Sequence, residues 1–180
     1  MRRTRYVSLL AAYLMASAMV SKSATAATSE TAVKAAFLPR FAHYVTWPAQ
    51  ARPGPGQPLV LCTIGGDPFG RQLDIAAAGQ SGSSQRILVR RLSSTEGVAS
   101  CHVAFVSGRD GQPTGQILAS LGKRSVLTVT DARMGSQRGA IHFAMVGGRV
   151  RFFIDNVAAQ ERGLIISSRL LDLAIAVRSR

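Results

Sequence analysis

LVLCTIG (residues 59–65), GDPFGRQLDIAAAG (66–79) and RILVRRL (86–92) decide how this chain folds. The first is an apolar run of strand length that stops at glycine, which reads as a buried strand. The second reads as a loop and a short helix, with Asp67 placed to cap it just before Pro68. GQSGSSQ (79–85) is a polar turn, and RILVRRL returns as another strand.

Moving toward the C-terminus, the alternation continues. CHVAFVSG (101–108) reads as a strand, QPTGQILASLG (112–122) as a helix closed by Gly122, and SVLTVTD (125–131) as a strand. After the loop ARMGSQRG (132–139), AIHFAMVGGRVRFFID (140–155) reads as a hairpin turning at Gly147-Gly148. Its second arm sets Val150, Phe152 and Ile154 against Arg149, Arg151 and Phe153. NVAAQERG (156–163) is a short helix ending at Gly163. LIISSRLLDLAIAVRSR (164–180) begins extended and becomes a helix capped by Ser167 or Ser168, with Leu170, Leu171, Ala174 and Ile175 facing the core.

Toward the N-terminus, ETAVKAAFLPRFAHYVT (30–46) places Val33, Phe37, Phe41 and Tyr44/Val45 at helical spacing, with Glu30 at the favourable helix start. Pro39 should kink or interrupt that helix, because it lacks a backbone donor and crowds the preceding turn. Trp47-Pro48 ends it, and AQARPGPGQP (49–58) is a Pro/Gly loop. Strands alternating with helices, plus one hairpin, give an α/β fold: a single compact domain with a mixed β-sheet flanked by helices.

The first residues set the compartment. Arg2, Arg3 and Arg5 precede an apolar run from about Tyr6 to Val20, and Ala24-Thr25-Ala26 follows with small side chains. That order matches a secretory signal peptide over 1–26, leaving 27–180 as the mature domain. A retained anchor fits less well, because the run is shorter than the roughly 20 residues of a spanning helix. The formal charge is +13. Arg2, Arg3, Arg5 and Lys22 carry four of those charges and no acid precedes Glu30, so the mature domain keeps about +9. In an exported protein such charge suits an anionic envelope surface or an acidic protein patch. The arginines are scattered with few aromatics between them, so nucleic acid is not an expected partner.

Local motifs offer no catalytic or cofactor signature. GGDPFG (65–70) follows a strand but has neither G-x-G-x-x-G spacing nor a GK[ST] ending. Ser107 has Phe105 where a nucleophile elbow needs glycine. Asp67, Asp74, Asp110, Asp131 and Asp155 fall at turns or helix starts, where aspartate bonds nearby backbone donors. Neither a cofactor nor a metal is expected. Cys101 and His102 are adjacent in an extended run, so they should point to opposite faces and form neither a metal pair nor a catalytic pair. The only two cysteines, Cys62 and Cys101, lie on core strands of an exported chain and are expected to pair. Closing a loop of that length stabilises a fold by on the order of 4 kcal/mol by chain entropy.

Taken in order, VKAAFLPRFAHYVTWP, LVLCTIGGDPFG, CHVAFVSG, VLTVTD and GRVRFFIDNVAAQERGLIISSRLLDLA resemble the YfiR family, from about Val33 to Ala174. The resemblance implies a periplasmic α/β protein, often dimeric, without established enzymatic activity. It further implies repression of an inner-membrane diguanylate cyclase through the periplasmic sensor domain of that enzyme, relieved when a peptidoglycan-binding outer-membrane lipoprotein sequesters the repressor. The family's matching cysteine pair is disulfide-bonded and redox-sensitive. Pro39, Phe153 and Asp155 depart from the family pattern. The candidate partner surface is Phe37, Phe41 and Trp47 on the first helix, with Arg149, Arg151, Phe153 and Asn156 on the hairpin and the turn after it. A small-ligand-binding module, an accessory of a sensor kinase, or an envelope enzyme with an acidic cleft is the alternative.

Overall fold

The computed structural model describes residues 22–80, 85–109 and 111–179, with side chains from Glu30 onward. Most of the expected leader, residues 81–84 of the polar turn and Asp110 lie outside the described residues. The chain runs through α1 (Lys22–Ala42), β1 (Val45–Thr46), β2 (Leu59–Ile64), α2 (Arg71–Ala78), β3 (Ile87–Leu92) and β4 (Val103–Val106). It continues through α3 (Thr114–Leu121), β5 (Leu127–Asp131), β6 (Ile141–Val146), β7 (Arg149–Asp155) and α4 (Asn156–Gln160), ending in β8 (Ile165–Ile166), α5 (Ser168–Leu171) and β9 (Val177–Arg178).

Seven strands form one mixed sheet in the order β3-β2-β4-β5-β6-β7-β9, and β1 pairs antiparallel with β8 beside it. β2 lies parallel to both β3 and β4, and β5 and β6 continue the parallel run. β7 returns antiparallel to β6 across a two-residue turn. Gly147 and Gly148 both take φ > 0 (56° and 72°), the conformation that a tight hairpin of this hand requires.

The parallel run explains the continuous apolar strands. β2, β4 and β5 are buried at every position, because each is covered on both faces. On one face Leu59, Leu61, Val103, Phe105, Leu127, Val129, Ile141 and Phe143 pack with Leu38 and Phe41 of α1. On the other face Val60, Cys62, Ile64, Ala104 and Val106 pack with Ile117 and Leu121 of α3. Phe37, Phe41, Phe143 and Phe152 form an aromatic cluster with centroids 5.1–6.2 Å apart. Burying a phenylalanine completely contributes about 2–3 kcal/mol.

Three expectations need correction. The helix is not broken at Pro39 but runs on to Ala42. Only one turn follows the proline, so few bonds depend on the one it removes, and His43 and Tyr44 N–H donate to the Arg40 and Phe41 carbonyls in a tightened end. The buried stripe is Ala35, Leu38, Phe41 and Ala42, and Val33 is 40% exposed. The C-terminal segment is one helical turn followed by β9, which pairs parallel with β7; Ile175 is exposed rather than core-facing.

Candidate functional site

Cys62 is fully buried on β2, Cys101 stands just before β4, and the two form a disulfide with Cα atoms 5.9 Å apart. The bond lies in the layer under α3, among Val60, Ile64, Val98 and Ala104. His102 turns away from Cys101 as alternation along an extended run predicts: Cys101 is extended (φ −85°, ψ 137°), and the His102 backbone bonds β2 and β5 from the position just before β4. The His102 N–H donates to the Val60 carbonyl at 2.8 Å, and its Nδ1 accepts from the Val60 N–H at 3.0 Å. That pair fixes the neutral tautomer with the proton on Nε2, and burial pushes the imidazole pKa below its usual value.

In open α/β sheets, ligands usually enter where the strand order reverses, outside the carboxyl ends of the strands. Here that point lies beyond β2 and β4, and the chain's own groups fill it. Gly65 adopts φ +89° so close to Ser107 that a Cβ would collide with the Ser107 carbonyl oxygen. Ser107 Oγ donates to the Gly66 carbonyl at 2.7 Å. Arg91 donates to Asp67 at 2.6 Å, to Asp74 at 2.9 Å and to the Gly70 carbonyl at 2.8 Å. Arg91 holds Asp74 below the usual carboxylate range. Asp67 also accepts from the Phe69 and Gly70 N–H groups, closing a turn ahead of α2; the cap position is Gly70, so Asp67 does not cap the helix as expected.

Next along the carboxyl edge is a buried ionic network that sequence reasoning missed. Lys34 of α1 is 2% exposed, and its Nζ donates to Glu30 and to Asp131, each at 2.6 Å. Arg133 covers Glu30 from outside at 2.6 Å. Burial alone would raise the Glu30 pKa, but the hydrogen bonds and charges of Lys34 and Arg133 outweigh it and hold the carboxyl below its usual range. The sequence did carry a signal: Lys34, Leu38 and Phe41 fall on one helical stripe, so the lysine stands where an apolar residue would be expected.

The candidate partner residues divide in two. Phe41 (1% exposed) and Trp47 (4%) are core, and Phe37 is half-buried against Phe41, Phe143 and Phe152. Aromatics at helical spacing on a core-facing helix are drawn inward by the area they bury, which leaves Phe41 and Trp47 in the core and Phe37 partly at the surface. Trp47 Nε1 donates to the His102 carbonyl at 3.3 Å, and the indole edge lines a cleft of about 410 Å³ with Ala42, Arg52 and Leu59.

The hairpin residues lie differently. Register places Arg149, Arg151, Phe153 and Asp155 on one face of β7, opposite Val146, Ala144 and His142 of β6. Arg149 and Arg151 are exposed. Phe153 is half-buried rather than exposed, because the Arg138 guanidinium lies 4.8 Å over its ring. Asn156 begins α4, whose N-terminus is capped by Asp155 Oδ1 accepting from the Ala158 N–H at 2.9 Å. Asp155 also binds Arg178, tying β9 to β7. Under this face His142 is 3% exposed, with Nδ1 2.8 Å from Thr130 Oγ1.

A family model described as YfiR/HmsC-like matches residues 31–175. The chain belongs to the YfiR/HmsC-like family. No curated protein matches it. The YfiR/HmsC-like match spans α1 from Thr31 through α5, so it takes in the disulfide, the Lys34–Asp131 pair of the buried network and the arginine-bearing hairpin face. Among the described residues, no helix is long and apolar enough to cross a membrane, and no group of three metal-binding side chains converges.

Proposed function

We propose that this protein is exported to the periplasm, where it holds an inner-membrane sensor, a diguanylate cyclase, inactive by direct protein contact. In doing so it limits cyclic di-GMP signalling and biofilm formation. Residues 1–26 are the leader and 27–180 the working domain. The observation that carries this reading is the YfiR/HmsC-like match over 31–175. Two features support it. The disulfide suits an oxidising compartment. The hairpin face offers Arg149 and Arg151, exposed and without carboxylate partners among the described residues, to an acidic surface.

Release follows when a peptidoglycan-binding outer-membrane lipoprotein captures the repressor, and the working unit is a homodimer. The test is co-purification of the oxidised protein with the periplasmic segment of a membrane cyclase encoded beside its gene. Retention is expected, weakened by Arg149→Glu with Arg151→Glu. Failure to bind by both the oxidised and the reduced protein refutes the proposal. A small-ligand role is favoured by a separate observation, the groove over His142.

A further inference from the structure

We infer that the groove between β6, β7 and β9 is a binding site for a small carboxylate with a flat apolar body. The groove measures about 420 Å³, within the roughly 300–1,000 Å³ of small-molecule sites. Phe153, Ile154, Ala176 and Val177 supply its apolar lining, with Arg138 and His142 among its polar groups.

His142 carries the argument. It is 97% removed from solvent yet lines the groove, and among the described residues its one side-chain hydrogen bond joins Nδ1 to Thr130 Oγ1. Thr130 Oγ1 already accepts from the Gly139 N–H at 2.9 Å. Its own proton has two possible acceptors, Nδ1 at 2.8 Å and the Ile141 carbonyl at 3.5 Å; the second is too long for an O–H···O bond, which assigns the proton to Nδ1. Nδ1 is therefore the acceptor, and Nε2 carries the proton. Among the described residues Nε2 has no hydrogen-bond partner, and it is not sealed from solvent, so it is a donor that opens onto the groove. A donor held this way in a mostly apolar recess calls for an acceptor on the ligand.

The charges select which acceptor. Asp155 lines the groove but is spent on the Ala158 N–H and on Arg178, so that pair is neutral as a unit. Burial, then the neighbouring Arg138, push the His142 pKa down, so the imidazole adds no charge. Arg138 has no carboxylate partner among the described residues and rests on Phe153. One positive charge beside one neutral N–H donor matches a monoanion. A planar body would slide against the Phe153 ring, with Ala176 beside it. The site stands whether or not the regulatory reading holds, because its test measures binding alone.

The experiment uses sodium benzoate as probe, with benzamide as its neutral isostere and acetate as a carboxylate lacking the body. Calorimetric titration of the wild-type protein should show saturable benzoate binding at one site, at least tenfold tighter than either comparison probe. Arg138→Gln should weaken benzoate at least tenfold, and Arg138→Lys should recover part of the loss. His142→Asn should weaken it too, with thermal unfolding confirming that the variant is folded. Phe153→Leu should narrow the gap between benzoate and acetate. The inference is overturned if the wild type shows no saturable binding, if benzamide binds as tightly as benzoate, or if folded Arg138→Gln binds undiminished.

Discussion

Replacing Lys34 with methionine is the sharpest probe of what fastens α1 to the sheet. The substitution keeps the length and most of the apolar contact of the side chain but removes the ammonium. Asp131 and Glu30, whose side chains are 5% and 9% exposed, would then lose the charge that sits 2.6 Å from each. Arg133 still compensates Glu30, so the stranded charge is mainly that of Asp131. Breaking a buried pair by removing one partner costs about 3–5 kcal/mol. A domain of this size has about 5–15 kcal/mol in total, so Lys34→Met should consume a large share of its stability.

The second half of the cycle is Asp131→Asn. Asparagine keeps the Oδ1 that accepts from the Arg133 N–H at 3.0 Å while removing the charge. The double variant should recover most of the loss, to within about 2 kcal/mol of wild type, since a neutral pair of similar shape leaves no ion stranded. Urea unfolding followed by tryptophan fluorescence reads all four corners, because the single tryptophan, Trp47, is buried in the main core. A loss below about 1 kcal/mol for Lys34→Met, or no recovery in the double variant, would refute the claim that this network is a desolvated clamp.

Three further outcomes follow from the same structure. Cys62→Ala with Cys101→Ala should cost on the order of 4 kcal/mol, since the pair closes a separation of 39 residues; denaturation with and without reductant checks this, and equal midpoints would contradict it. Stability should fall as pH drops below about 6.5, the unfolded histidine value, because the unfolded chain gains protons that buried His102 and His142 resist. The slope reaches at most about 1.4 kcal/mol per pH unit for each histidine, and it begins well above the carboxylate range where Glu30 and Asp74 contribute; a flat urea midpoint between pH 7.5 and 5 would rule it out. Arg91→Ala should cost only about 1 kcal/mol in thermal unfolding, since its pairs with Asp67 and Asp74 are solvent-exposed, and a loss above about 3 kcal/mol would show that the network is needed to close the strand-reversal point.

The parts of the fold legible in the sequence are those with a strong local pattern. β2, β4 and β5 announce themselves because strands covered on both faces need unbroken apolar runs, and the β6–β7 turn because two adjacent glycines supply φ > 0. Asp155 caps as its position suggests, whereas Asp67 only closes the turn before α2. β1 and β9 were hidden because two-residue strands have no period to detect, and Val177 pairs with Ile154 through contacts made far along the chain. Lys34 was hidden because lysine reads as solvated unless its position on the stripe is weighed. The aromatic stripe misled in the other direction: spacing finds the face of a helix that packs, but not whether the packing partner belongs to the same chain.

The strand order has a consequence for how this protein can be altered. The staple joins β2 to the chain just before β4, the groove lies on β6, β7 and β9, and β5 alone separates them. β5 is bolted to the groove side by two threonines, Thr128 accepting from the Ala140 N–H and Thr130 from the Gly139 N–H, both at 2.9 Å. The sheet is thus a mechanical series with one middle link, and α1 spans both halves over one of its faces. An engineer could rewrite the groove without disturbing the oxidised half. Conversely, within the sheet a sulfur-borne signal would reach the groove as a shift of β5, and Thr128 and Thr130 are where that path would be cut.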